Sequence, residues 1–140
     1  MKVSLARRYR FAASHRLHNP KWSVETNREL YGKCNSPHGH GHNYVVEVAF
    51  TGRVAPETGM IANLSELDPF VEREVIEAFD HKYLNDEIAE FHDVVPTTEN
   101  VAREVFRRVS GFPGARLERV RIEETSKNSF EYRGDSHGLN

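Results

Sequence analysis

Histidines with spacing suited to metal binding occur at two places in the first third of the chain. His38, His40 and His42 alternate with glycines and lead into an alternating apolar segment, and His15 ends an earlier one. A β-strand turns every second side chain to the same face, so His40 and His42 would present their imidazoles side by side. Three imidazoles suit a divalent transition metal and leave a fourth position open for a substrate. The sequence therefore predicts a catalytic zinc site formed by His15, His40 and His42.

Other interpretations of these histidines stay open at this point. His38 has the same parity as His40 and His42 and could replace one of them as a ligand. The pair could also be solvated histidines of a glycine-rich turn. Alternatively the site could be structural, with Cys34 or His38 completing a four-ligand cage. Gly39 and Gly41 favour the catalytic interpretation, because glycine allows another group to approach closely.

Cys34 is the only cysteine of the chain and stands six residues before His40. The usual role of a free cysteine is that of a small buried residue. Here the adjacent Lys33 and a nearby metal would favour the thiolate, so Cys34 is a candidate for proton exchange with a substrate.

Two acidic positions further along the chain also carry potential chemistry. Asp80 and His81 directly follow a predicted helix, and an aspartate can orient and polarise an imidazole for proton transfer. Adjacent residues usually point apart, however, so an exposed surface pair is the alternative. Glu124 shares the parity of apolar Val120 and Ile122, which predicts an inward carboxylate. A buried carboxylate needs a partner, such as a guanidine-like ligand.

The elements that would position these residues follow the order strand, strand, helix, helix, strand, strand. Apolar residues alternate over 3–13 and 44–50 and recur with helical spacing over 67–79 and 101–109. Ser65 and Thr97 or Thr98 are candidate N-caps. Short strands are predicted over 117–125 and 129–133. We expect one α+β domain over 1–140, whose open sheet edges need covering, charge or pairing with another chain.

Composition limits the classes of function. The chain has 140 residues, of which 38% are hydrophobic and 29% charged, with a net charge of -2. This near-neutral charge argues against nucleic-acid binding, and the chain has no apolar run long enough for a membrane span. Arg7 and Arg8 interrupt the N-terminal segment before an apolar signal region can form. One cysteine excludes an internal disulfide, so we expect a cytoplasmic protein that acts on a small molecule.

Several segments together resemble a known family along nearly the whole chain. The matching segments are 11–17 (FAASHRL), 32–35 (GKCN), 39–44 (GHGHNY), 58–60 (TGM), 80–82 (DHK), 97–102 (TTENVA) and 124–125 (ET). In their order and spacing they resemble the 6-pyruvoyl-tetrahydropterin synthase family. The resemblance implies the tunnelling fold, with an antiparallel sheet and two helices on one face. Monomers of that fold join edge to edge into a trimeric barrel, and two trimers stack into a homo-hexamer.

The resemblance also implies roles for individual residues. The family's zinc ligands fall on His15, His40 and His42, with one zinc per chain. Its catalytic groups fall on Cys34 and on Asp80 and His81, the last two contributed by a neighbouring subunit. Its pterin anchor falls on Glu124, and Thr97 and Thr98 resemble further pterin contacts. The implied substrate is 7,8-dihydroneopterin triphosphate, whose side chain undergoes an internal redox rearrangement with loss of triphosphate, without nicotinamide or flavin.

A related activity on the same substrate and fold is 6-carboxy-tetrahydropterin synthesis in the queuosine pathway, which releases acetaldehyde. Those enzymes place the cysteine four residues before the first histidine of the His-x-His pair, and the pyruvoyl enzymes place it six before. Cys34 lies four before His38 and six before His40, and the flanking residues favour the pyruvoyl type. A non-catalytic zinc and pterin-binding module is a remote alternative. Candidate triphosphate-binding residues are Arg8, Arg10, Lys33 and Lys127.

Overall fold

The computed structural model describes residues 1–135 and is built on one five-stranded sheet. The strands are β1 (Lys2–His15), β2 (His40–Arg53), β3 (Lys82–Tyr83), β4 (Arg116–Thr125) and β5 (Asn128–Tyr132), in the spatial order β3-β1-β2-β4-β5. β1 and β2 pair antiparallel along their full lengths, and β4 and β5 continue the sheet antiparallel. The long β1–β2 pair therefore forms the centre of the sheet.

The helical elements lie between the strands. They are α1 (Val24–Tyr31), α2 (Leu64–Val71), α3 (Glu77–Phe79), α4 (Leu84–Glu87) and α5 (Thr98–Val109). A π-helical stretch, Glu72–Ile76, joins α2 to α3, and single 3-10 turns occupy Gly32–Asn35 and Ala89–Phe91. The first predicted helix is therefore one continuous helical segment from α2 to α3.

The apolar periodicity of the sequence explains which face of the sheet is covered. The inward residues of the strands and the apolar residues of the two long helical segments form one buried cluster. Its strand members include Phe11, Tyr44, Val46, Val48, Phe50, Val120 and Ile122. Its helix members include Val71, Val75, Phe79, Val101, Val105 and Val109. Helices α2, α3 and α5 thus cover one face, as predicted. This α+β architecture confirms the predicted fold class at the level of a single chain.

Several details differ from the predicted architecture. β3 pairs with β1 in parallel, so the sheet is not wholly antiparallel. Asn63, and not Ser65, caps α2, because its side chain accepts a hydrogen bond from the Ser65 backbone N–H. The sequence does not predict α1, because its segment shows no apolar periodicity. In the structure, Asn27 is accordingly the only buried residue of this helix. The available signal was the N-cap: Ser23 accepts a hydrogen bond from the Thr26 N–H.

The opposite face of the sheet is charged. Glu47 is buried there and accepts hydrogen bonds from Arg8 and Arg119. Arg10 and Glu123 border the same face. Arg8 and Arg10 therefore lie across the sheet from the inward-facing histidines of their own chain. Among residues 1–135, none of the helices has the length and apolarity that a bilayer crossing requires.

Candidate metal centre and active site

Strand register brings the three predicted metal ligands together. His15, the last residue of β1, pairs with His40, the first residue of β2, and Ala13 pairs with His42. One ring nitrogen from each of the three histidines lies within 4.8 Å of the others. Nε2 of His15 is 3.0 Å from Nε2 of His40. Two strands that are separated by 24 residues in the sequence thus place three imidazoles at one end of the sheet.

The protonation of His15 and His42 suits metal binding. Burial lowers the pKa of His15 to about 4, and burial also lowers the pKa of His42. Nδ1 of His15 lies 2.8 Å from the carbonyl oxygen of Pro96. Because a carbonyl only accepts, Nδ1 carries the proton and Nε2 offers its lone pair towards the other two rings. This carbonyl is the kind of partner that orients a metal-binding histidine.

Two of the ring nitrogens are buried without a partner. Nε2 of His42 and Nδ1 of His40 have no hydrogen-bond partner within the described part of the chain. A buried polar atom left unpaired costs free energy, and a metal ion would satisfy the His42 nitrogen. Converging nitrogen donors with an unsatisfied member fit a transition-metal ion. His15, His40 and His42 could therefore hold a metal, as predicted.

Neither Cys34 nor His38 belongs to this group of converging donors. His38 is exposed in the turn before β2. Gly39 explains why His38 is separated from the converging donors. Gly39 has a φ of +72°, and a Cβ there would lie 2.9 Å from the His15 carbonyl oxygen. The backbone at Gly39 therefore packs directly against the end of β1, and only beyond it does the chain enter β2.

Glu124 points towards the histidines, as its parity predicted. Its Oε2 lies 3.8 Å from Nε2 of His15 and 3.8 Å from Nε2 of His42. Thr98 donates a hydrogen bond to Oε2 and Asn128 donates one to Oε1. Burial raises the pKa of Glu124, but the two hydrogen bonds and the neighbouring histidines together outweigh it, and the pKa lies below its ordinary value. The carboxylate is therefore ionised and fixed in place beside the candidate metal site.

The two threonines have structural partners within the chain. Thr97 is the N-cap of α5 and accepts a hydrogen bond from the Asn100 N–H. Thr98 is buried, and its hydroxyl is engaged with Glu124. Their predicted contact with a pterin stays a prediction. Sequence reasoning missed Asn128, for which the polar turn 125–128 between two strands was the available signal.

Cys34 lies in the 3-10 turn Gly32–Asn35 and is half-buried. Several hydrogen bonds tie this turn to the segment that follows His15. The Leu17 N–H donates to the Cys34 carbonyl, and the buried Asn35 side chain donates to the Leu17 carbonyl and to Nδ1 of His18. The position of Cys34 relative to β1 is therefore set by backbone and amide contacts that do not involve its sulfur.

Asp80 and His81 do contact each other, although neighbours usually point apart. His81 adopts a left-handed φ of +60°, and its Nδ1 lies 2.9 Å from Oδ2 of Asp80. Oδ1 of Asp80 accepts a hydrogen bond from the Ala12 N–H, which lowers the pKa of Asp80. His81 is largely exposed and lines, together with His42, a shallow cleft of about 510 Å³. The sheet edge thus presents an oriented imidazole to solvent.

Comparisons with known proteins identify the family of this chain. The family model described as 6-pyruvoyl tetrahydropterin synthase matches residues 4–135. A 6-pyruvoyl tetrahydrobiopterin synthase of Poecilia reticulata is 45% identical over 126 residues, which cover 89% of this chain and 86% of the relative. The structure of Caenorhabditis elegans 6-pyruvoyl tetrahydropterin synthase superimposes with a TM-score of 0.91 at 40% identity, covering 96% of each chain.

A more distant relative bears the name of the alternative activity. A protein of Archaeoglobus fulgidus, provisionally named a 6-carboxy-5,6,7,8-tetrahydropterin synthase, is 36% identical over 94 residues. That match covers 67% of this chain and 75% of the relative. The match to the pyruvoyl-type relative is longer and more similar. The chain belongs to the 6-pyruvoyl tetrahydropterin synthase family, whose members are lyases.

Proposed function

We propose that this enzyme is a zinc-dependent lyase that converts 7,8-dihydroneopterin triphosphate to 6-pyruvoyl-tetrahydropterin with release of triphosphate. The observation that carries the proposal is the convergence of three histidine nitrogens beside a fixed carboxylate at one end of the sheet. Family membership supports the substrate class, since a relative that is 45% identical bears that name.

Zinc is the metal that best suits three nitrogen donors, and His15, His40 and His42 would hold it. When bound, zinc supplies a Lewis acid that polarises the hydroxyl and carbonyl oxygens of the substrate side chain. Glu124 would bind the pterin ring: its ionised carboxylate accepts hydrogen bonds from the guanidine-like edge of the ring.

The remaining residues would transfer protons. Cys34 would remove a proton from a side-chain carbon on one side of the substrate. His81, oriented by Asp80, would exchange a proton on the other side. The net change is a rearrangement of hydrogens within the substrate, coupled to loss of triphosphate, so no external oxidant is required. Thr97 and Thr98 complete the proposed pterin site.

Assembly and location belong to the same proposal. Residues 1–140 would form one domain, and six copies would form a cytoplasmic homo-hexamer of two stacked trimers, so that Asp80 and His81 serve the site of a neighbouring subunit. The exposure of His81 at the sheet edge supports such sharing. Two of the candidate triphosphate-binding residues are exposed and close in sequence to proposed site residues. Lys33 directly precedes Cys34, and Lys127 lies three residues after Glu124.

The alternative product is 6-carboxy-tetrahydropterin with acetaldehyde, and the Archaeoglobus fulgidus relative is the observation that favours it. The grouping of His40 with His42, and not with His38, favours the pyruvoyl product, because Cys34 then lies six residues before the first histidine of the pair. Displacements of about 1 Å between the substrate and each proton-transfer group can decide which of the two products is formed.

The test is a product assay on the purified zinc-loaded enzyme with 7,8-dihydroneopterin triphosphate. We expect triphosphate and 6-pyruvoyl-tetrahydropterin without acetaldehyde. Acetaldehyde released in step with triphosphate would assign the chain to the queuosine-pathway reaction. Pterin binding without any triphosphate release would instead identify a non-catalytic module.

A further inference from the structure

Glu124 is placed to interact with a bound metal as well as with a pterin. Its Oε2 is 3.8 Å from the Nε2 atoms of both His15 and His42, which are two of the three converging donors. Histidine ligands bind metals as neutral imidazoles and bring no charge to a divalent cation. Among the groups described around these rings, Glu124 is therefore the source of compensating negative charge.

The carboxylate is held in this position from two sides. Thr98, which is buried, donates to Oε2, and Asn128 donates to Oε1. Asn128 is itself hydrogen-bonded to the Thr125 hydroxyl across the turn between β4 and β5. A negative group that is fixed before the cation arrives needs little reorganisation to stabilise it.

The neighbouring residue in β4, Glu123, points away from the histidines. Glu123 lies on the other face of the sheet, beside Arg8, Arg10 and Arg121. Glu123 is a glutamate of β4, like Glu124, but the sheet separates its side chain from the histidines. This neighbour distinguishes an effect of position from a general effect of negative charge on the chain.

We infer that Glu124 is part of the metal centre: its carboxylate electrostatically stabilises the divalent cation that His15, His40 and His42 bind. The pterin-binding role of Glu124 rests on the proposed function, whereas this metal-stabilising role rests on the geometry of the three rings and the carboxylate. Removal of such an outer partner typically weakens metal affinity by about 10–100-fold. Glu124 would then couple the metal site to the ligand pocket through a single side chain.

The test is metal affinity in the absence of any pterin. Metal-free protein is titrated with Co²⁺ and followed by visible absorption, and Zn²⁺ affinity is measured by competition with a chelator. We expect Glu124→Gln to raise the Kd by about 10–100-fold, whereas Glu123→Gln leaves it within about twofold. Equal affinities of the wild type and Glu124→Gln would overturn the inference, as would an equal loss in both variants.

Thr98→Val provides a second variant that keeps the charge. It removes the hydroxyl that holds Oε2, and we expect a smaller increase in Kd, of about 2–10-fold. Melting curves of the metal-free variants establish that each one folds. If Glu124→Gln does not fold, an unchanged Kd in Thr98→Val would count against the inference. Because no substrate is used, a failure of the product assay leaves this measurement unaffected.

Discussion

At the scale of single residues, His38 and His40 differ in what the backbone allows them to reach. His40 begins β2 opposite His15, while His38 remains exposed in the preceding turn. We therefore expect His40→Ala to lose bound zinc and His38→Ala to retain about one zinc per chain. Elemental analysis after dialysis measures both. Loss of zinc from the His38 variant together with full occupancy in the His40 variant would show that the ligands are assigned wrongly.

Cys34 offers a second test at this scale. Its backbone carbonyl, not its sulfur, takes part in the hydrogen bonds that hold the turn. Cys34→Ala should therefore keep the fold and the zinc but lower turnover by about 10²–10⁴-fold, the range for loss of a general acid or base. Triphosphate release and zinc content are measured on the same sample. If zinc is lost in parallel with activity, Cys34 is a metal ligand.

At the scale of elements, α5 carries a buried ion-pair cluster, and one of its arginines connects α5 to the helical segment that runs from α2 to α3. Glu104 is buried and accepts hydrogen bonds from Arg107 and Arg108. Arg108 also donates to the Glu74 carbonyl and lies 4.8 Å from the centre of the Phe79 ring. Burial raises the pKa of Glu104, but the two arginines outweigh it and leave the pKa below its ordinary value.

This lowered pKa predicts the sign of a pH effect. The stabilisation from Glu104 is present above the pKa of the unfolded chain, about 4.3, and is lost as the pH falls through the lower pKa of the folded state. Glu104→Gln should lower the free energy of unfolding by about 1–2 kcal/mol at pH 7, and the difference should shrink below about pH 4. Urea denaturation at both pH values measures it.

Glu77→Gln is the matched control, because Glu77 is exposed on α3. Its effect on the free energy of unfolding should stay within about 0.5 kcal/mol at either pH. A pH-independent difference between wild type and Glu104→Gln would contradict the assignment of this stabilisation to the ionised carboxylate.

At the scale of the whole molecule, two sheet edges remain largely unpaired within residues 1–135. β3 covers β1 only at Ala13 and Ser14, and β5 forms the opposite edge. Unpaired strands of this length favour pairing with another chain, and closed symmetric assemblies satisfy every edge. Edge pairing favours a closed ring of chains, and the resemblance to the family implies that two such rings stack, so we predict a hexamer. Sedimentation velocity at micromolar concentration is the measurement, and a stable monomer would be incompatible with the proposed barrel.

Much of this molecule follows from local sequence pattern. Alternating apolar residues identify β1 and β2, and helical spacing identifies α5 and the α2–α3 segment, because side-chain direction repeats with the period of each element. The same parity places His15, His40, His42 and Glu124 on the inward face before any contact is known. Candidate ligands could therefore be selected from the sequence, together with the resemblance to a family.

The contacts themselves were decided by the tertiary structure. The pairing of His15 with His40 depends on the register of two distant strands, and the Thr98–Glu124 hydrogen bond depends on how α5 packs on β4. The contact of Asp80 with His81 requires a left-handed backbone at one residue, which sequence periodicity does not encode. Periodicity sets the direction of each side chain along its own element, whereas distances between elements arise only when the elements pack together.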